Sequence, residues 1–235
     1  MGVIRDDIVA ETAKLTKLTG MSAQSAASFA KFANISGKEM GTVTKEARAA
    51  VVAGEKEAGV RLNINKVLDE AGKIGGVISA QLGGNPAKIA KAVAVAKQFG
   101  MELEKVAAAG RKLLDFQDSI SAELEAELLL GKSLNLEQAR LAALTGDYET
   151  LTKEINKNVG SFADFTKMNV LQQEALAKSV GMTADELSNQ LLQKANLEEL
   201  AQEARDAADR DWETFIFVKS ANDPTFLLIS LVSVS

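Results

Sequence analysis

The chain has no histidine and no cysteine. The first absence removes imidazole acid–base catalysis, Ser-His nucleophile activation and histidine metal ligands. The second removes thiolate nucleophiles, thiolate zinc sites and disulfides. Proline is almost absent, at two residues in 235, and aromatic residues make up 5%. That shortage of breakers and aromatics points away from a sheet-rich enzyme core and towards helix. A basic excess is also missing: 27 Lys and Arg face 32 Asp and Glu, for a net charge of −5. General binding to polyanions needs a cationic face, so specific nucleic-acid binding is not expected. No uncharged apolar run reaches the roughly 18 residues of an ordinary transmembrane helix. The opening MGVIRDDIVAETAKL has acidic residues where a secretory signal carries its apolar stretch, so no signal peptide is expected.

Alanine and helical periodicity take the place of these absences. Hydrophobic residues are 46% of the chain, but roughly a third of them are alanine, which buries little area per side chain. Apolar residues recur at helical spacing. They outline helices over 4–18, 22–33, a stretch capped by Ser36 with Glu39 three residues on, and 65–82. Asn85-Pro86 pairs a favoured N-cap with proline at the first helical position and opens a further helix. The longest periodic stretch runs from Met101 to Leu130, with Leu103, Val106, Leu113, Ile120, Leu124 and Leu128 among its apolar positions and Gly110 as a bend or break. More helices follow over 136–144, 148–159, 162–180, 184–193 and 197–211, and Thr183 with Glu186 forms a capping box. The expected fold is all-α, with eight to eleven helices in an irregular or elongated bundle.

A motif recurs at the joints. Lys-x-x-Gly-Met, followed by a small polar or acidic residue, stands at 17–22, 97–102 and 178–183, and 32–36 is a variant with Asn34 in place of glycine. It reads as helix end, left-handed glycine, a hydrophobic residue folding back, then the next N-cap. The C-terminus differs in kind. Trp212–Val218 is aromatic and β-branched, Asn222-Asp223-Pro224 is a turn, and 225–235 is uncharged, so a short β-hairpin is expected there. Three regions result: 1–84 with Ala- and Gly-rich helices, 85–211 helical and repeat-like, and 212–235 apolar.

Candidate chemistry is sparse. Ala126–Ser133 fits a relaxed phosphate-loop pattern, yet its interior Glu-Leu-Leu-Leu belongs to an amphipathic helix and no strand precedes it. Gly131 as a helix C-cap, with Ser133 or Asn135 as the next N-cap, accounts for the same residues. Glu102, Glu104, Glu123, Glu125 and Glu127 form solvated helix faces, since carboxylate di-metal bundles add histidines that are absent here. No catalytic, cofactor or metal residue is expected. Gly72, Gly76, Ala80 and Gly84 form a small-residue stripe suited to close helix packing or to transient membrane contact.

The segments Leu134–Ile155 (LNLEQARLAALTGDYETLTKEI) and Gln173–Leu187 (QEALAKSVGMTADEL) resemble the tail tape measure proteins of tailed bacteriophages, in Ala/Leu/Lys/Glu helices with Gly-Met-Thr joints. The resemblance covers about residues 10–205 and supplies no catalytic motif. It implies a non-enzymatic virion protein, found in the tail or in the host cytoplasm during assembly, whose helical length helps set tail length. The partners it implies are tail-tube subunits, a tail assembly chaperone or further copies of itself, with no cofactor and no small-molecule substrate. As one helix at about 1.5 Å per residue the chain would span only about 350 Å, so it corresponds to one section of a longer ruler or to a small relative. The alternative is a helical membrane-active or protein-interaction module, toxin-like or adaptor-like.

Overall fold

A computed structural model of the chain describes residues 6–58 and 60–222. Among the described residues there are thirteen helices and no strand: α1 Asp6–Thr19, α2 Ala23–Ser36, α3 Met40–Ala58, α4 Ile64–Lys73, α5 Gly76–Gln81, α6 Pro86–Gln98, α7 Leu103–Leu113, α8 Phe116–Leu130, α9 Glu137–Thr145, α10 Tyr148–Val159, α11 Phe162–Lys167, α12 Val170–Ser179 and α13 Ala184–Asn222. The all-α expectation holds. Two units divide the chain, Met1–Ala195 and Asn196–Ser235.

The helices number more than eight to eleven because several expected segments are cut. The 65–82 stretch divides at Ile74 and Gly75 into α4 and α5. The long periodic stretch breaks at Leu114 and Asp115, where Asp115 caps α8 by accepting the Asp118 N–H. Gly110 is not the break. It lies inside α7, where an added Cβ would stand 2.7 Å from Leu151 Cδ2 and 3.3 Å from Ala143 Cβ. Glycine there lets α9 and α10 approach α7 closely. Ser36 does not cap α3. It ends α2, donates to the Ala33 carbonyl at 3.3 Å, and leaves the stop to Gly37 at φ 68°. Asn34 lies within α2 and forms no joint.

Alanine content determines how the first unit packs. α6 is buried almost all round, with Ala92, Val93, Ala94, Val95 and Ala96 each within 1% of complete burial. A helical stretch that is apolar on every side, as 92–96 is, belongs inside, and its short side chains let α3, α4, α7 and α10 pack against α6. The boundary expected at 84/85 therefore separates no packed units, because α3 and α4 pack on α6 across it. Larger residues fill the spaces between: Phe29, Leu68, Leu103, Leu113, Leu136, Leu151, Ile155 and Leu176 are each no more than 2% exposed. Phe165 is also buried, whereas Phe32 and Phe162 pack partly exposed against the core.

In the second unit α13 continues without a break. The strand reading of Trp212–Val218 is corrected: these residues are helical. No Gly or Pro lies between Ala184 and Asn222 to stop the helix, and extending a formed helix adds a hydrogen bond for each residue fixed, which outweighs the modest β-preference of aromatic side chains. Residues 223–235, the other half of the expected hairpin, lie outside the described residues.

Candidate interaction surface and paired joints

α8 carries an apolar face that meets no core. Phe116, Ile120, Leu124 and Leu128 follow one another at four-residue spacing and are 49%, 46%, 60% and 84% exposed. The helix turns Ser119, Ala122 and Ala126 inward instead and packs along α12. Periodicity correctly placed the large residues on one face, but the break at Asp115 resets the phase of the helix and sends that face to solvent. α8 has no basic residue and carries Asp118, Glu123, Glu125 and Glu127. Gln172, in the first turn of α12, donates to the Leu129 carbonyl at 2.9 Å, which places the exposed Val170 and Leu171 near the end of α8.

The acidic residues of α8 have structural duties. Arg140 is 7% exposed; its Nε donates to Ser119 Oγ at 2.9 Å and its Nη2 to Glu123 Oε2 at 2.5 Å. The other oxygen of Glu123 accepts the Leu136 N–H at 3.0 Å, and Glu127 accepts the Leu134 N–H at 2.7 Å. Asn158 Oδ1 takes the intervening Asn135 N–H at 2.8 Å. Three successive loop amides after Gly131 are thus occupied by side chains. The amides that a phosphate loop would turn to its ligand are those of residues 127–131, and these belong to α8 and its C-cap, where the Gly131 N–H donates to the Glu127 carbonyl. With a helix rather than a strand leading in, the phosphate-loop pattern is a helix end with a tied connection. Gly131 is the left-handed C-cap as expected, while α9 is capped at Leu136.

The small-residue stripe does not form one face. Gly72 sits inside α4, where an added Cβ would lie 2.5 Å from Ser25 Cβ; it makes the α2–α4 approach possible. Gly76 opens α5 at φ 59°, Ala80 lies in α5, and Gly84 is in the following turn at φ 61°. The intervening break distributes the four residues over two helices and a turn. Among the described residues no helix is long and apolar enough to cross a membrane.

The Gly-Met joints match closely in pairs. Residues 94–101 (AVAKQFGM) and 175–182 (ALAKSVGM) share five residues at an offset of 81. In the first, the Gly100 N–H donates to the Lys97 carbonyl at 3.0 Å and the Met101 N–H to the Ala96 carbonyl at 2.9 Å; in the second, Gly181 donates to Lys178 at 3.0 Å and Met182 to Ala177 at 2.9 Å. Both glycines are left-handed, at φ 72° and 77°, and both methionines are buried. The joints also face each other. A Cβ on Gly100 would meet the α13 backbone, 2.8 Å from the Lys194 nitrogen, and one on Gly181 would stand 2.7 Å from the Ala109 oxygen of α7. Gly100 also abuts the Gln190 carbonyl, and Ala109 and Gln190 are separated by the same offset of 81. The contacts are reciprocal, as across a two-fold axis. Gly20, the third joint glycine, has open space around it.

Thr183 and Glu186 form the expected capping box, with the Thr183 N–H donating to Glu186 Oε2 at 3.1 Å and the Glu186 N–H to Thr183 Oγ1 at 3.2 Å. Lys105 reaches the other Glu186 oxygen at 2.6 Å. The Lys105 ammonium, and then the Thr183 N–H, outweigh burial and hold the Glu186 carboxyl down at about 2. At Asp69, burial opposes ionisation, but Lys73, the Ser22 N–H and the Ser22 and Ser25 hydroxyls overcome it and keep that carboxyl well below the usual range. Among the described residues no group of acidic side chains is placed to hold a metal ion.

No family model matches the sequence, and neither a curated protein nor a solved structure matches it.

Proposed function

We propose that the chain is a non-enzymatic structural protein of the tape measure kind, a section of helical ruler that helps assemble a phage tail by binding other protein chains. The observation that carries the binding part of this reading is the exposed α8 stripe of Phe116, Ile120, Leu124 and Leu128. Contiguous exposed apolar surface rimmed by polar residues marks interaction sites on soluble proteins. The partner suited to it is a helix whose apolar face is bordered by Lys or Arg, because α8 itself carries acidic residues and no basic one. Tail-tube subunits, an assembly chaperone and further copies of the chain are the candidate partners. Anionic bilayers are held by basic residues, and α8 has none, which favours the protein-interaction form of the alternative over the membrane-active one.

The test is Leu124→Glu, made on the solvent side of a helix whose inward face stays intact. Light scattering after gel filtration would follow self-association, and co-purification with tail-tube and chaperone proteins encoded beside its gene would follow the others. Loss of association in the variant is the expected result. Equal association by both proteins, or neighbouring genes without tail functions, would overturn the reading. Dye release from anionic vesicles by the unaltered protein would favour membrane activity instead.

A further inference from the structure

A cavity of about 330 Å³ lies between α7 and the start of α13, where the two joints face each other. Gln190 lines it and is 3% exposed, yet neither its amide nitrogen nor its amide oxygen has a hydrogen-bond partner. Buried amides are ordinarily paired, so one with both ends open calls for an explanation. The fold does not demand it. The residue that fills the same place in the other joint, 81 positions earlier, is Ala109, buried and apolar. In that joint a methyl group fills the place and is buried to the same degree.

Two charged residues, one at each end of α7, stand at the rim. Glu102 and Lys112 both line the cavity; among the described residues neither lies within ion-pair distance of an opposite charge, and Glu102 acts only through space on the Lys105 ammonium. Their counterparts in the second joint are Thr183 and Gln193, so this pair of charges, like the open amide, departs from the pseudo-symmetry. Lys105, between them on the same side of α7, is already tied to Glu186. Met101 and Met182 contribute apolar, adaptable walls.

We propose that this cavity binds a short peptide with free termini, two to four residues long and with small apolar side chains. Its ammonium end lies against Glu102, its carboxylate end against Lys112, and a peptide group between them pairs N–H and C=O with the unpaired Gln190 amide, whose buried end turns towards the cavity to meet it. The lengths agree. Glu102 and Lys112 are about 15 Å apart along the helix at 1.5 Å per residue, their side chains shorten the gap, and extended peptide covers about 3.3–3.6 Å per residue. No aromatic surface lines the cavity to stack a nucleobase. The binding site is independent of the α8 surface and does not require the tail-assembly reading.

The experiment titrates trialanine into the full chain and follows the Gln190 side-chain amide resonances together with heat of binding. Acetyl-trialanine amide, which has the peptide groups without the charged ends, is the control. Saturable shifts of the Gln190 amide by trialanine are expected, with binding at least tenfold weaker for the blocked peptide. Glu102→Gln and Lys112→Met, at exposed positions where folding is insensitive, are each expected to weaken trialanine several-fold. Gln190→Met is expected to abolish binding while leaving the melting temperature of the free protein equal or higher, because it removes an unsatisfied amide. No trialanine shift at millimolar concentration, equal binding of the blocked peptide, or unchanged binding by the two rim variants would each overturn the proposal. So would a fall in melting temperature on Gln190→Met, since that would show the amide to be satisfied without a ligand.

Discussion

Lys105 Nζ lies 2.6 Å from Glu186 Oε1, and the two residues hold the same place, five positions after the joint glycine, in joints 81 residues apart. The ion pair therefore bridges equivalent positions of a reciprocal packing. α7 and α13 cross where Gly100 and Gly181 let backbone approach backbone. Lys105 and Glu186 join the helices beside that crossing, and Glu186 also closes the first turn of α13 through Thr183.

This double duty gives a pH dependence with a definite sign. Glu186 titrates at about 2 in the folded chain against an ordinary 4.5. A depressed carboxyl stabilises the fold fully above its unfolded value, and the contribution is lost as pH falls from about 4.5 towards 2. Glu186→Gln removes it at every pH. The melting-temperature gap between the unaltered protein and this variant is expected to stay constant from pH 6 to 8 and to close as pH falls from 4.5 to 2.5. Asp69 titrates below the usual range as well, so the gap, and not the absolute melting curve, is the measurement that isolates Glu186.

The left-handed glycines that end helices divide into two energetic classes. Gly131 is left-handed at φ 65° with open space around it, whereas Gly181 is left-handed and also packs on the Ala109 backbone. Gly131→Ala meets only the left-handed penalty, about 1 kcal/mol. Gly181→Ala adds overpacking against main chain that cannot swing aside, a further cost of about 1–3 kcal/mol. Urea unfolding should show Gly181→Ala losing clearly more stability, about 2–4 kcal/mol in total. Equal losses for the two variants would show that the α7–α13 crossing yields easily.

Arg140 is the buried charge whose loss should be felt most. Its guanidinium joins Ser119 and Glu123 beneath the α8–α9 connection, and Glu123 in turn holds the Leu136 N–H. Arg140→Ala strands the Glu123 carboxylate in a half-closed site, and removing one member of such a pair costs about 3 kcal/mol or more. Arg140→Met combined with Glu123→Gln removes both charges and should recover much of the loss. Denaturant midpoints for the single and double variants check the coupling.

What was legible in the sequence was local. Asn85-Pro86, the Thr183–Glu186 box and the Gly100 and Gly181 joints lie where their residue types place them, because a cap is decided within one turn of chain. The pairing of the two joints was not legible, since nothing near residue 100 specifies contact with residue 190. The small-residue stripe misled because Gly76 opens a new helix and Gly84 serves a turn, while only Gly72 permits a helix contact. The buried Arg140 and the open Gln190 gave no signal, as each looks like an ordinary surface residue on a polar helix. For the α8 leucines, periodicity shows which residues share a face and is silent about what that face meets.

Leu128 and Leu151 put that distinction to a quantitative test. Both are leucines at regular helical spacing, but Leu128 is 84% exposed and Leu151 is fully buried against the α7 approach. Leu151→Ala removes packed methyl groups and leaves a cavity, at a cost of about 2–5 kcal/mol. Leu128→Ala exposes little that was covered and should change stability by no more than about 0.5 kcal/mol. It trims the interaction face all the same, so loss of partner binding at unchanged stability is the expected combination. A destabilisation of Leu128→Ala comparable with that of Leu151→Ala would mean that the α8 stripe is covered within the folded chain, which would remove the surface on which the proposed assembly role depends.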